Sequence, residues 1–213
     1  MHMAKVRRLL HGCALENLKP GYDVADWGCG QGLASLCLVE HLMEINAPLP
    51  SRITLVDASP AALRRAKLHL DAMTGGTVEL RLVETRLSSH AIDSAWEEGL
   101  FITGRPRVLH LLSNIFDVLG IELGALASSI TRMGNENFVM CAAHHAMELH
   151  LRLFYRRFRL ESQEMLFLEA KERLDVLPNG YSYGAALLAF RTTARSCDQS
   201  EADSTAASLS LAA

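Results

Sequence analysis

The chain has 213 residues, 49% of them hydrophobic, with a formal net charge of −3 and a pI near 6.3. That is one domain of ordinary size with apolar residues enough for a proper core, and its charge excludes the global basic field of a non-specific nucleic-acid binder, leaving room for a local basic patch only. No apolar run reaches the ~20 residues a membrane span needs, and the start Met1-His2-Met3-Ala4-Lys5 lacks the apolar segment of a signal peptide.

In chain order, residues 4–18 read as a helix, with Val6, Leu9, Leu10 and Cys13 on one apolar face at i, i+3, i+4, i+7. A first strand at 22–27 leads into a helix at 33–45, and the two prolines of 46–51 mark a connection. A second strand, 52–57, is followed by Ser59 as N-cap and Pro60 in the first turn of a basic amphipathic helix at 60–73. Gly75 and Gly76 break the chain. A third strand at 77–83 alternates, with Val78, Leu80 and Leu82 on one face and Glu79 and Arg81 on the other. Residues 90–99 are a short helix or loop, and a fourth strand occupies 107–112. A helix at 120–133 is expected to close on Gly134 as its C′ residue. A fifth strand at 137–142 and an arginine-rich helix at 146–160 follow, then two late strands at 165–174 and 183–191 joined through Pro178-Asn179-Gly180. From 193 to 213 the chain is small and polar and reads as a disordered tail. The expected organisation is an N-terminal helix in 1–20, one α/β domain in 21–192, and the tail.

Strands alternating with helices predict a mostly parallel sheet with helices on both faces, a three-layer αβα sandwich. The last two strands have no helical crossover between them and are expected to pair as an antiparallel hairpin at the sheet edge.

The segment that carries most functional information is Asp23-Val24-Ala25-Asp26-Trp27-Gly28-Cys29-Gly30-Gln31-Gly32. An apolar strand runs into three glycines at alternate positions, with an acid two residues before the first and helix formers directly after the last. Such a loop turns sharply, lets a ligand approach the backbone, and presents a helix N-terminus to a carboxylate or phosphate. The third glycine follows the second by two residues rather than the three of a dinucleotide fingerprint, and the Gly-Lys-Ser/Thr of a phosphate-binding loop is missing. Downstream, Arg52-Ile53-Thr54-Leu55-Val56-Asp57 is a short strand ending in an acid. In a βαβ unit that acid sits beside the first glycine loop, where its carboxylate can accept both hydroxyls of a ribose.

The pattern Asp-x-Gly-x-Gly-x-Gly, together with the acid ending the second strand, resembles the class I S-adenosylmethionine (SAM) dependent methyltransferases, which have a Rossmann-like fold. The resemblance assigns no subfamily. It implies a seven-stranded sheet in the order 3-2-1-4-5-7-6 and SAM as cofactor. It also implies cofactor contacts from Asp26, Gly28, Cys29, Gly30 and Gly32 around the methionine portion, Asp57 on the ribose and Ala58 near the adenine. The usual Gly-Asp after the third strand is replaced by Val83-Glu84-Thr85, so Glu84 or Thr85 would have to serve the adenine amino group; two solvated residues are an equal reading. Ser113 and Asn114, at the carboxyl end of the fourth strand, fall on the cofactor and acceptor side. The Asn-Pro-Pro-Tyr/Phe motif of amino-group methyltransferases is absent, since Ile115-Phe116 follows Asn114, and so is the Pro-Cys of cytosine C5 methyltransferases.

Candidate catalytic residues are therefore Asn114 and the pair His144 and His145 after the fifth strand, where a histidine can take a proton from an acceptor. His110 lies within a strand and reads as a core histidine. His144, His145 and His150 do not have the H-E-x-x-H spacing, so no metal site is expected. On the helix 149–160, Arg152, Arg156 and Arg159 share a face; it could contact nucleic-acid phosphates, but a solvated basic side is the favoured reading. Cys13, Cys29, Cys37, Cys141 and Cys197 are odd in number and form no C-x-x-C pair, which reads as reduced thiols in a cytoplasmic protein. The leading functional expectation is methyl transfer from SAM to an unidentified acceptor. The alternative is a catalytically inactive SAM-binding or interaction module of a larger protein. A third reading, an NAD-dependent oxidoreductase, is opposed by the glycine spacing. Oligomeric state is left open.

Overall fold

The computed structural model describes residues 2–11, 19–101, 105–115, 121–144, 150–151, 153–154, 164–169, 175–176 and 182–191. Helix α1 (His2–His11) precedes β1 (Asp23–Trp27), α2 (Leu33–Glu44), β2 (Arg52–Asp57), α3 (Pro60–Thr74), β3 (Glu79–Glu84) and α4 (Ser89–Glu97). Then come β4 (Arg105–Ser113), α5 (Leu123–Met133), β5 (Gly134–His144), β6 (Glu164–Glu169), β7 (Asp175–Val176) and β8 (Ser182–Arg191). The sheet order is β3-β2-β1-β4-β5-β8-β6, with β7 paired to β8. The first five strands in that order run parallel, and β8 lies antiparallel to both β5 and β6.

The parallel part is covered on both faces, as its near-continuous apolar strands require. One core joins Val6, Leu9 and Leu10 of α1 to Cys37, Leu38 and Leu42 of α2, Leu63 and Leu70 of α3, and Val24, Ile53, Leu55 and Leu109 of the strands. The other joins Ile92 and Ala95 of α4 and Leu126 and Ile130 of α5 to Trp27, Val56, Val108, Leu112, Val139 and Cys141. Successive residues of β1 therefore supply opposite layers. No described helix is long and apolar enough to cross a membrane.

Local signals explain the boundaries near the glycine loop. Ser59 caps α3 by accepting from the Ala62 amide at 3.3 Å, with Pro60 in the first turn. The sheet has eight strands rather than seven because the two-residue β7 pairs through Asp175 and Val176 with Tyr183 and Ser182. Gly134 departs from expectation: its φ is −156° and ψ 167°, extended rather than left-handed. It opens β5 in the same step that closes α5, so no C′ turn forms. Helix α1 is described to His11 only; Cys13 and the rest of 12–18 lie outside the described residues, as do the 193–213 tail and Cys197.

Candidate functional site

The parallel strands β1, β2 and β3 end side by side, with Trp27 opposite Val56 and Asp57 opposite Glu84. The Cys29 amide donates to the Val56 carbonyl at 3.0 Å and the Gly32 amide to the Cys29 carbonyl at 2.8 Å, folding the glycine loop over the end of β2. Gly28, Gly30 and Gly32 have φ of 66°, 53° and 76°, all left-handed and all costly for a residue with a Cβ. Two of them are also short of room. A Cβ at Gly28 would lie 2.7 Å from Ile115 Cγ2, and one at Gly32 2.9 Å from the Ala66 Cβ, whereas one at Gly30 would meet nothing within 4 Å. Gly28 and Gly32 thus let the loop pack against Ile115, just past β4, and against α3, and Gly30 faces open space.

Asp57 is the brace of this loop. Its Oδ2 accepts the Gly30 amide and its Oδ1 the Ser59 amide, each at 2.8 Å. A carboxylate carries about four acceptor positions, so both oxygens keep capacity for further donors. The Thr85 amide donates to the Asp57 carbonyl at 3.1 Å, and the Thr85 hydroxyl to the Ala91 carbonyl at 3.1 Å. Strand β3's end is thereby tied to β2 and to α4.

Asp26 is buried at 1% exposure and accepts a hydrogen bond from Ser35 Oγ of α2 at 2.7 Å. Burial pushes its carboxyl up to about 6, with the Ser35 bonds opposing and the Asp57 charge adding to the rise. It remains mostly ionised at neutral pH, a buried anion at the head of a helix. Cys29 is buried, and burial raises its thiol well above the ordinary range, which keeps it protonated.

Two cavities meet at Gly28. The first, about 360 Å³, is lined by Asp26, Gly28, Cys29, Gly30, Gln31, Leu33, Ala34 and Ser113. The second, about 460 Å³, is bounded by Asp57, Ala58, Thr85 and Leu87 on one side and by Asn114, Ile115 and Ile121 on another. The first holds the buried carboxylate and the first turn of α2; the second is more apolar, with Asp57 in its wall. The fold therefore gathers Asp26, Gly28, Cys29, Gly30, Asp57, Ala58, Thr85, Ser113 and Asn114 around one cleft at the carboxyl edge of the sheet, where open α/β sheets bind ligands. Gly32 supports it from behind. Glu84 is exposed at the end of β3 and lines neither cavity. Asn114 is left-handed at φ 55°, a conformation asparagine tolerates, and its amide donates to the Ala142 carbonyl at 2.8 Å. His144 ends β5 opposite Tyr183; His145, Arg152, Arg156 and Arg159 lie outside the described residues.

His110 is fully buried and belongs to the core, as its position in a strand suggests. Trp27 Nε1–H donates to its Nδ1 at 3.1 Å, so its Nε2 carries the proton and donates to Asn137 Oδ1 at 2.9 Å; Asn137 Nδ2 in turn donates to the Gly134 carbonyl at 2.8 Å. Burial lowers its pKa to about 4, against a smaller opposing effect of Asn137. Among the lining residues that sequence reasoning missed are Leu33, Arg86, Leu87, Ile115 and Ile121, none of them in a motif; Ser35, whose bond to Asp26 spans nine residues, was missed as well.

No family model matches the chain, and no curated protein matches it. Solved structures do. A putative methyltransferase from Streptococcus mutans in complex with SAH superposes with a TM-score of 0.56 at 10% identity, covering 89% of this chain and 98% of that one. An rRNA methylase from Streptococcus thermophilus gives 0.55 at 11%, covering 91% and 98%. A magnesium protoporphyrin IX methyltransferase from Synechocystis with bound SAM gives 0.54 at 15%, covering 90% and 80%. The chain has the fold of the class I methyltransferases, and at these identities the likeness is one of fold, with no subfamily assigned.

Proposed function

We propose that this protein is a SAM-dependent methyltransferase whose cofactor lies across Gly28, methionine portion in the first cavity and adenosine in the second. The observation that carries the reading is the pairing of these two cavities about a left-handed glycine, with Asp57 braced in the wall of one and Asp26 buried in the wall of the other. Seven of the eight strands, with β6 and β8 antiparallel, then make up the methyltransferase-type sheet and β7 is an addition to it. In this reading residues 21–192 are the cofactor-binding domain, preceded by an N-terminal segment that includes α1, in a cytoplasmic protein.

When bound, SAM supplies a sulfonium-activated methyl group. In this reading Asp26 holds the cofactor's cationic amino group, directly or through water, and Ser35 fixes the carboxylate that does so. Asp57 accepts the ribose hydroxyls through the lone pairs its two backbone amides leave over. Ala58, Leu87, Ile115 and Ile121 exclude water from the adenine, with the Thr85 backbone at its edge and Glu84 outside. Ser113 lines the first cavity and Asn114 the second, and in this reading Asn114 is the described candidate on the acceptor side. The chain's main work is alignment and exclusion of water.

The solved neighbours act on unlike acceptors, an rRNA in one case and a porphyrin in another by their descriptions, so the fold leaves the acceptor open. A second reading, cofactor binding without turnover, has one observation in its favour. Among the described cavity-lining residues there is no histidine or lysine to take a proton. Incubation with methyl-labelled SAM and fractionated cell extract separates the two. Label entering RNA, protein or small-molecule fractions supports the enzyme; cofactor binding without transfer to any fraction supports the module.

A further inference from the structure

We propose that His11, His41 and Glu44 form a binding site for one divalent transition metal ion, zinc being the best chemical match, at the junction of α1 and α2. The ligand atoms of the three side chains all lie within 4.8 Å of one another. The imidazoles of His11 and His41 meet edge to face, their centroids 4.7 Å apart, and His41 Nδ1 is 3.9 Å from Glu44 Oε2. In a tetrahedral site with bonds of about 2.1 Å the ligand atoms stand roughly 3.4 Å apart. Closing that gap asks about 1 Å of movement. His11 and Glu44 are exposed and can turn to provide it, while His41 is buried at 6% exposure and serves as the fixed point.

The helices are already held in the right register. Arg7, one turn before His11, pairs with Glu40, next to His41, at 2.6 Å, and Val6, Leu9 and Leu10 anchor α1 in the core it shares with α2. His41 and Glu44 are i and i+3 on α2, which puts them on one face. Glu44 is the last residue of α2, so the negative end of that helix's dipole lies at the site. Two nitrogens and one carboxylate select zinc and its transition-metal neighbours over magnesium and calcium, which take oxygen ligands. The exposed side of the cluster leaves a fourth position for water.

This site is separate from the cleft. Glu44 is twelve residues along α2 from Gly32, about 18 Å at helical rise, so an ion there does not reach the reacting groups. Its effect is to pin α1 to the α/β domain. No sequence spacing announces it, because His11 and His41 come from different helices.

The test is calorimetric titration of the full chain, freed of any purification tag and of metal by chelator, with Zn²⁺ and with Mg²⁺. One Zn²⁺ per chain is expected, with no Mg²⁺ binding. His11→Gln and Glu44→Gln, both at exposed positions, should each weaken binding by more than about tenfold, while His69→Gln, exposed on α3, leaves it unchanged. Zinc at a hundredfold excess over Kd should raise Tm by roughly 5 °C or more, and lose that effect in the two variants. Circular dichroism in chelator verifies that both variants fold. Absence of saturable Zn²⁺ binding by the folded chain overturns the proposal. So does binding that survives both substitutions, which would assign the zinc to other histidines.

Discussion

Replacing Asp26 by Asn should stabilise the protein while impairing the cleft. Folding raises the carboxyl from 3.8 to about 6, chiefly by burial. The two-unit rise corresponds to about 3 kcal/mol of ionisation cost carried by the native state at neutral pH. Asparagine removes the charge and still accepts from Ser35 Oγ, so about 1–3 kcal/mol of added stability is expected at pH 7, up to about 10 °C in Tm. The sign with pH follows from linkage. A carboxyl with a raised folded pKa binds protons more readily when folded, so this site's contribution to wild-type stability improves as pH falls from about 6 towards 4. The advantage of the variant should therefore shrink over that window. His110 titrates in the same range with the opposite sign, but it is common to both proteins and cancels in the difference. The assay is urea denaturation of both proteins at several pH values from 4.5 to 7.5, with cofactor binding measured in parallel. A variant less stable than wild type at pH 7, or an advantage independent of pH, would refute the reasoning.

The loop glycines should separate packing from access. Gly28→Ala, which puts a Cβ 2.7 Å from Ile115, should cost about 2–4 kcal/mol by strain and overlap together. Gly30→Ala has only its left-handed φ to overcome, about 1–2 kcal/mol, yet should weaken SAM binding more than tenfold because its methyl enters the first cavity; chemical denaturation and calorimetry distinguish the two. His110→Ala should cost about 2–4 kcal/mol, since it leaves the buried Trp27 indole N–H and the Asn137 amide without their partner, and Trp27 fluorescence should shift to match. Because folding lowers the His110 pKa from 6.5 to about 4, its unfolded form takes up protons first, and its contribution to stability is lost as pH falls from 6.5 towards 4.

What could be read from the sequence was what is local. The glycine spacing, the acid ending β2 and the Ser59-Pro60 start of α3 each act within a few residues, and each stands in the fold as its chemistry demands. The parallel direction of the first five strands followed from alternation of strands and helices; their order did not. The Trp27–His110–Asn137 chain could not be read, because it joins β1, β4 and β5 across the sheet. Nor could the division of labour at β3's end, where Thr85 lines the cleft and Glu84, one residue earlier, is exposed and lines neither cavity. Gly134 misled because a glycine after a helix serves equally to open a strand. Leu87, Ile115 and Ile121 became cleft residues only because the segments after β3 and β4 and before α5 meet beside Gly28.

The most direct test of the account is calorimetric titration of the intact chain with SAM and with S-adenosylhomocysteine, beside Asp57→Asn. The account predicts one site of micromolar affinity for both ligands, weakened at least tenfold, about 1.4 kcal/mol, in a variant that still folds. A folded chain that gives no heat with either ligand would contradict it, and so would binding that Asp57→Asn leaves untouched.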